Sequence, residues 1–295
     1  FGRLLVTSSD RKTFLDGEIN TLKDFAGAIA LGYARFLDLK AVEVAQQRLI
    51  DEMEEELQTA HDMQMGLMPA GSPEIEGIDI AGRCIPANHV GGDFFQYFER
   101  DGKLSMSLAD VTGKAMEAAI PVVMFHGILK SQMELDEPMD TLFGRLTRTL
   151  HGSLDARTFI CFTMGELHPT TFTFRLSNGG CPYPYHFQAE SGEIVELQVD
   201  AYPLGVSPDT KSPVVETQLQ TGDRVVFCSD GIAEAENVSG EQFGYERTSE
   251  MIRKACEDDL SAKATIDRIL EVVDRFKGDA SQDDDLTCVV LRVEG

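Results

Sequence analysis

The chain has 295 residues, 42% of them hydrophobic, so it can fill the core of one large domain or two moderate ones. Its 50 acidic and 26 basic residues give a formal net charge of −24. This charge repels phosphate backbones and anionic membrane surfaces, which argues against nucleic acid as a partner. Most of the acidic excess is expected to be solvated surface, although clustered carboxylates can also hold hard cations.

Six cysteines are present, and none forms a C-x-x-C pair. Three lie in the apolar runs FICFTM, VVFCSD and LTCVVLRV, so we expect reduced core residues in a cytoplasmic protein. The longest apolar runs, such as AAIPVVMFHGIL, are shorter than the roughly 20 residues that cross a bilayer. We therefore expect no membrane segment in this chain. It begins FGRLLV without a methionine, which suggests a fragment of a longer protein.

Residues 1–38 predict a short strand at residues 4–6 and a helix from about Asp16. Apolar residues recur in that helix at steps of three and four between Ile19 and Phe36. One strand and one helix cannot bury their own apolar faces, so we predict the C-terminal edge of a truncated domain. The segment FLDGEINTLKDFAGAIALGYARF resembles the last helix of a GAF-type sensor domain.

Residues 39–69 predict a helical linker, because they are rich in Glu, Gln, Met and Ala and lack Gly and Pro before Gly66. Gln46 occupies an a position of the heptad pattern, and Glu56 interrupts the apolar seam. Two interpretations stay open: a coiled coil that forms a homodimer through residues 39–67, and a helix packed within one chain. The apolar heptad positions are Leu39, Val42, Leu49, Met53, Ala60, Met63 and Leu67.

Residues 70–295 alternate short β-type runs with longer helical stretches, which predicts a single α+β domain. We expect helices at about 114–133, 139–153 and 247–276. The predicted architecture is an antiparallel β-sandwich flanked by helices (α-β-β-α). The predicted strands are GIDIAGRCI, DFFQYFER, KLSMSLAD, TFICFTMGEL, TFTFRLSN, YPYHFQ, EIVELQV, DRVVFCSD and LTCVVLRV.

One predicted hairpin brings two aspartates together. In DFFQYFER-DG-KLSMSLAD, Asp101-Gly102 is the dipeptide favoured in a two-residue type I′ turn. That turn pairs Asp93 directly with Asp110, on the face that carries the apolar residues of the hairpin. Like charges so placed repel each other unless a cation lies between them.

Asp230 ends one apolar strand and Asp284 precedes another. If these strands run antiparallel, both aspartates reach the same sheet edge. Four carboxylates with no nitrogen or sulfur ligand favour Mg²⁺ or Mn²⁺ over Zn²⁺. Each aspartate also has an ordinary explanation as turn or solvated loop chemistry. The residues alone thus indicate a carboxylate metal site without specifying its reaction.

The segments that contain these aspartates resemble the metal-dependent protein phosphatases of the PPM or type 2C superfamily, in the bacterial branch with the sporulation stage II and sigma-factor regulatory phosphatases. The resemblance covers about residues 60–295. It rests on the order and spacing of VGGDFFQYF, LADVTGKAMEAAI, NGGCPYPYHF, YPLGV, FCSDGIAEAEN and QDDDLTCVVL.

The resemblance implies two Mn²⁺ or Mg²⁺ ions held by Asp93, Asp110, Asp230 and Asp284 and by the backbone carbonyl of Val111. A metal-activated water would then attack the phosphoester without a covalent enzyme intermediate. The implied substrate is phosphoserine or phosphothreonine on a regulatory protein of the anti-sigma-factor antagonist type. The implied regulation is through an N-terminal sensor and the linker helix. We expect the linker helix to act on the metal site through the neighbouring helix at about 114–133.

Two features depart from the superfamily. This chain has Asp110-Val111-Thr112-Gly113 where the eukaryotic branch has Asp-Gly-His-Gly, and Cys181 where the bacterial branch often has His. The group that protonates the leaving oxygen is therefore unassigned. A catalytically silent interaction module of the same fold is the alternative function. A metal-dependent nuclease is opposed by the charge.

Overall fold

The computed structural model describes residues 5–7, 13–113, 116–135, 137–155 and 157–294. The backbone divides into two compact units, Phe1–Gln58 and Thr59–Gly295. The domain boundaries predicted at residues 38 and 69 stay predictions.

The two predicted N-terminal helices form one helix, α1, which runs from Asp16 to Met65. Apolar side chains at the predicted heptad positions are exposed, among them Leu39 (70%), Leu49 (58%) and Met53 (55%). Residues 5–7 form no strand, so the prediction of a strand at residues 4–6 is wrong for Leu5 and Val6. Leu4 lies outside the described residues. The GAF-type resemblance stays a prediction.

Two antiparallel sheets make up most of the second unit. Among the described residues, one sheet has the order β1-β10-β9-β6-β7 and the other β2-β3-β4-β5-β8. The elements after α1 are β1 (Ile78–Ile85), β2 (Asp93–Arg100), β3 (Lys103–Val111), α2 (Met116–Met133), α3 (Met139–His151), β4 (Ile160–His168), β5 (Thr173–Gly179), β6 (Tyr185–Gln188), β7 (Glu193–Glu196), β8 (Val215–Gln218), β9 (Arg224–Cys228), α4 (Asp230–Glu234), α5 (Tyr245–Glu257), α6 (Ala262–Lys277) and β10 (Leu286–Val293).

Three apolar cores hold four layers together. The inner core lies between the sheets and contains Leu108 of β3 and Val289 of β10. On the outer face of the β3 sheet, Phe162 packs against Phe125 of α2. Helices α5 and α6 cover the outer face of the other sheet. The predicted α-β-β-α sandwich is confirmed.

The hairpin register was predicted correctly. Asp101 and Gly102 have φ of 49° and 72°, as a type I′ turn requires, and Asp93 pairs with Asp110. Strand β8 and helix α4 were missed. The helix predicted at 247–276 is wrong as a single element, because Asp259 has a φ of 50° between α5 and α6.

No helix in the described ranges is both long and apolar enough to span a membrane. All six cysteines are free, and four of them are buried, in agreement with their predicted role as reduced core residues.

Candidate metal centre

Asp93 and Asp110 lie directly opposite each other on β2 and β3. The neighbouring pair is hydrogen-bonded, since the N–H of Val111 donates to the carbonyl of Gly92 (3.1 Å). Because paired residues alternate along an antiparallel ladder, Asp93 and Asp110 form a non-hydrogen-bonded pair. In such a pair the Cα atoms are about 4.5 Å apart and the side chains lie close together. The two carboxyl groups therefore share one small region.

Asp230 and Asp284 reach the same region from the other sheet. Strands β9 and β10 are antiparallel; Asp230 directly follows Ser229 after β9, and Asp284 lies two residues before β10. Burial, and then the charge of Asp284, raise the pKa of Asp230. The four predicted aspartates thus form one cluster at one end of the sandwich, buried at Asp93 and open to solvent at Asp284.

The cluster is electrostatically unfavourable without a cation. Burial, followed by the charges of Asp110 and Asp285, raises the pKa of Asp93 well above its usual range. Burial, followed by the charges of Asp230 and Asp284, raises the pKa of Asp110 to about 7. The cluster therefore holds protons at a pH where an ordinary aspartate is ionised.

One buried oxygen fits a metal ligand. Oδ2 of Asp93 is buried and has no hydrogen-bond partner within the described residues. The hydroxyls of Thr287 and Ser229 partly offset the rise in the pKa of Asp93. Neither hydroxyl has the geometry of a hydrogen bond to Oδ2. A buried anionic oxygen without a partner is costly, and a hard cation would satisfy it.

No group of three or more His, Cys, Asp or Glu side chains is already arranged as a metal cage in the described ranges. The four carboxylates are nonetheless neighbours, since, after burial, charges within the cluster raise the pKa of Asp93, Asp110 and Asp230.

Asp285 was missed as a functional residue, although it stands beside Asp284. Its buried carboxylate accepts hydrogen bonds from the N–H groups of Ala87 (2.8 Å), Gly92 (2.7 Å) and Asp93 (3.1 Å). These bonds join the start of β10 in one sheet to the start of β2 in the other. Asp285 therefore positions Asp93. The QDDD run contains no signal that separates the two roles.

Two glycines, Gly91 and Gly92, permit close approach of other groups to this loop. A Cβ at Gly91 would lie 2.0 Å from Oδ2 of Asp285, and a Cβ at Gly92 would lie 2.6 Å from the carbonyl oxygen of Val111. The N–H of Gly92 donates to Asp285 and therefore does not bind the carbonyl of Val111, which lies opposite it. This arrangement is compatible with the ligand role predicted for Val111.

A third glycine, Gly113, immediately precedes the helix predicted at about 114–133. Helix α2 begins instead at Met116, and residues 114–115 are outside the described ranges. Gly113 has a φ of 118°, which favours glycine at that position.

The model of the Stage II sporulation protein E (SpoIIE) family matches residues 100–294. This range includes three of the four aspartates and starts after Asp93. Phosphoserine phosphatase RsbU of Bacillus subtilis (strain 168) is 24% identical over 272 residues, which are 91% of this chain and 78% of RsbU.

Two solved structures have a similar fold. The SiaA-PP2C domain of Pseudomonas aeruginosa aligns with a TM-score of 0.72 at 18% identity, over 82% of this chain and 97% of that domain. The catalytic domain of the serine/threonine protein phosphatase PstP, in complex with two manganese ions, aligns with a TM-score of 0.54 at 15% identity. That alignment covers 74% of this chain and 99% of the PstP domain.

We expect Asp285→Ala to lower the free energy of unfolding by about 3 kcal/mol, because three backbone N–H groups lose a charged acceptor. It should also weaken Mn²⁺ binding, since Asp93 loses its support. The measurements are urea unfolding in EDTA and a Mn²⁺ titration. Asp279→Ala, at an exposed turn position, is the control and should change stability by less than about 0.5 kcal/mol. Equal effects of the two variants would contradict the positioning role.

We expect Asp110→Asn to stabilise the metal-free protein. An unfolded aspartate titrates near pH 3.9, whereas Asp110 titrates at about 7. Between these values the native state binds more protons, so the free energy of unfolding falls as pH rises. In EDTA at about pH 8, the variant should melt at least about 2 °C higher than wild type. The gain should vanish near pH 4, where Asp110 is protonated.

With Mn²⁺ the order should reverse, because only the wild type keeps the complete ligand set. The control is Asp209→Asn, at an exposed loop position. If Asp110→Asn is less stable than wild type in EDTA at about pH 8, the four charges do not repel one another as described.

Proposed function

This chain belongs to the Stage II sporulation protein E (SpoIIE) family, and on that premise we propose that it is a metal-dependent protein serine/threonine phosphatase. The observation that carries the proposal is the convergence of four aspartates at one end of the sandwich, with a buried oxygen of Asp93 left without a partner. The similarity to a protein named phosphoserine phosphatase supports the same reaction class.

Asp93, Asp110, Asp230 and Asp284, with the carbonyl of Val111, would hold two Mn²⁺ or Mg²⁺ ions. When bound, such ions supply Lewis acidity, which lowers the pKa of water and offsets negative charge on a phosphoryl group. The chain itself holds the carboxylates in register through the β2-β3 hairpin, and Asp285 fixes the backbone that carries Asp93. The exposed edge at Asp284 leaves an approach for a phosphorylated side chain.

The substrate class is phosphoserine or phosphothreonine on a regulatory protein, of the anti-sigma-factor antagonist type. The family and the similarity to RsbU support this class. A cytoplasmic location agrees with six free cysteines and stays a prediction.

Regulation through the linker is proposed from contacts at the end of α1. The buried side chain of Gln64 donates to the carbonyl of Gly91 (2.7 Å) and accepts from its N–H (2.9 Å). Nδ1 of His61 lies 2.7 Å from the carbonyl of His89. The route expected from the sequence passed through the helix at 114–133. These contacts support a shorter route, from α1 through the loop 89–92 to Asp93.

A homodimer through residues 39–67 is also part of the proposal. Exposed apolar side chains at the heptad positions of α1, including Leu39 and Leu49, support it. The alternative is a catalytically silent module of the same fold that uses this helix for assembly.

We expect Mn²⁺-dependent hydrolysis of p-nitrophenyl phosphate and of a phosphoserine protein. Asp230→Asn should reduce the rate by at least about a hundredfold, because the variant loses a charged ligand. Asp209→Asn, which makes the same change in charge on an exposed loop, should keep the wild-type rate. No hydrolysis by wild type would favour the silent module, and an Asp230→Asn variant as active as wild type would contradict the role of Asp230 as a metal ligand.

We expect Gln64→Ala to raise the Mn²⁺ concentration for half-maximal activity by about fivefold or more, because the loop before Asp93 loses two buried hydrogen bonds. Gln47→Ala, in the exposed part of the same helix and outside the heptad seam, is the matched control and should leave that concentration unchanged. A chain that begins at residue 70 should show the same defect as Gln64→Ala. Unaltered activity and metal affinity in that shorter chain would argue against control by the linker.

A further inference from the structure

A row of residues crosses the β3 sheet from the aspartate cluster. Asp93 pairs with Asp110, and Asp110 pairs with Cys161 on β4. The β4-β5 register places Gly180 next, one residue beyond the pair of Phe162 and Gly179. A Cβ at Gly180 would lie 3.3 Å from Sγ of Cys161. Adjacent strands are about 4.8 Å apart, so Gly180 lies about 10 Å from Asp110.

A groove of about 430 Å³ lies at the end of this row. We call it the Tyr183 groove; its walls include Cys181, Tyr183, Glu196, Asp200 and Tyr245. Partial burial, and then the charges of Asp230 and Glu234, raise the pKa of the Tyr245 hydroxyl. Tyr245 is therefore within electrostatic range of Asp230, and Cys181 directly follows Gly180, the last residue of the row.

The groove is acidic and aromatic. Its described lining residues include Glu196 and Asp200 but no lysine or arginine. Both carboxylates are exposed, and neither forms an ion pair with a lysine or arginine in the described part of the chain. The hydroxyl of Tyr183 donates to Oδ1 of Asp200, which leaves Oδ2 for another donor. Carboxylates beside tyrosine rings suit a guanidinium or ammonium group.

The floor of the groove is held in place. Asn178 is buried, and its side chain donates to the carbonyl of Cys181 (2.9 Å) and accepts from the N–H of Cys181 (3.0 Å). Gly180 between them has a φ of 94°. A groove that needs no rearrangement loses less entropy when a chain binds.

We infer that the Tyr183 groove binds the substrate chain beside the phosphorylated residue and selects a lysine or arginine two to four residues from it. This inference rests on the proposed phosphatase function. An extended chain advances about 3.3 Å per residue, so a span of about 10 Å corresponds to about three residues. The cationic side chain would lie between Glu196 and Asp200.

The test uses the full chain with Mn²⁺ and short phosphoserine peptides. In each peptide a single position, up to about four residues before or after the phosphoserine, carries Arg, Ala or Glu. Exposed ion pairs contribute up to about 1 kcal/mol, so kcat/KM for the best Arg peptide should exceed that for its Ala counterpart by about three- to fivefold. In the double variant Glu196→Gln with Asp200→Asn, this ratio should fall to nearly one.

Glu193→Gln is the matched control, because Glu193 lies on the same strand as Glu196 but does not line the groove. It should keep the wild-type ratio, and the ratio should shrink in about 0.5 M salt. A preference for Glu or Ala, an Arg preference that survives in the double variant, or no hydrolysis of any peptide would overturn the inference. Hydrolysis of p-nitrophenyl phosphate by wild type is scored separately, and its absence would instead overturn the proposed function.

Discussion

Repulsion between Asp93 and Asp110 is the constraint on which the rest of the structure depends. A non-hydrogen-bonded cross-strand pair brings two side chains as close as a sheet allows, and here both are acidic and face the interior. The opposite sheet adds two more carboxylates at the same end. Such an arrangement costs folding free energy unless cations are bound, and sites selected for function often carry this kind of cost.

The backbone around the cluster is reinforced by hydrogen bonds to charged or buried groups. Asp285 binds three N–H groups ahead of and at the start of β2, and Gln64 binds both polar groups of Gly91. The loop that carries Asp93 is therefore held from the opposite sheet on one side and from α1 on the other. A loop with two independent anchors is a position where a change in one helix can alter metal affinity.

Much of the fold could be predicted because local patterns were strong. Asp101-Gly102 specified the hairpin turn, and that turn alone determined the pairing of Asp93 with Asp110. Weaker elements were missed for physical reasons. Strand β8 is a four-residue strand with no continuous apolar run. The break between α5 and α6 is short, spanning residues 258–261, with Asp259 at positive φ and Ser261 as the N-cap of α6.

The sequence by itself determined the sandwich, the hairpin register and the candidate carboxylates, because side-chain alternation and turn chemistry act over a few residues. Only the tertiary structure decided that Asp230 and Asp284 meet the hairpin pair and that Asp285 is a positioning residue. It also decided that Gln64 contacts Gly91 and that an acidic groove borders Gly180, which lies about 10 Å from Asp110. These relations join residues far apart in the chain, and their bonds form only when the sheets pack.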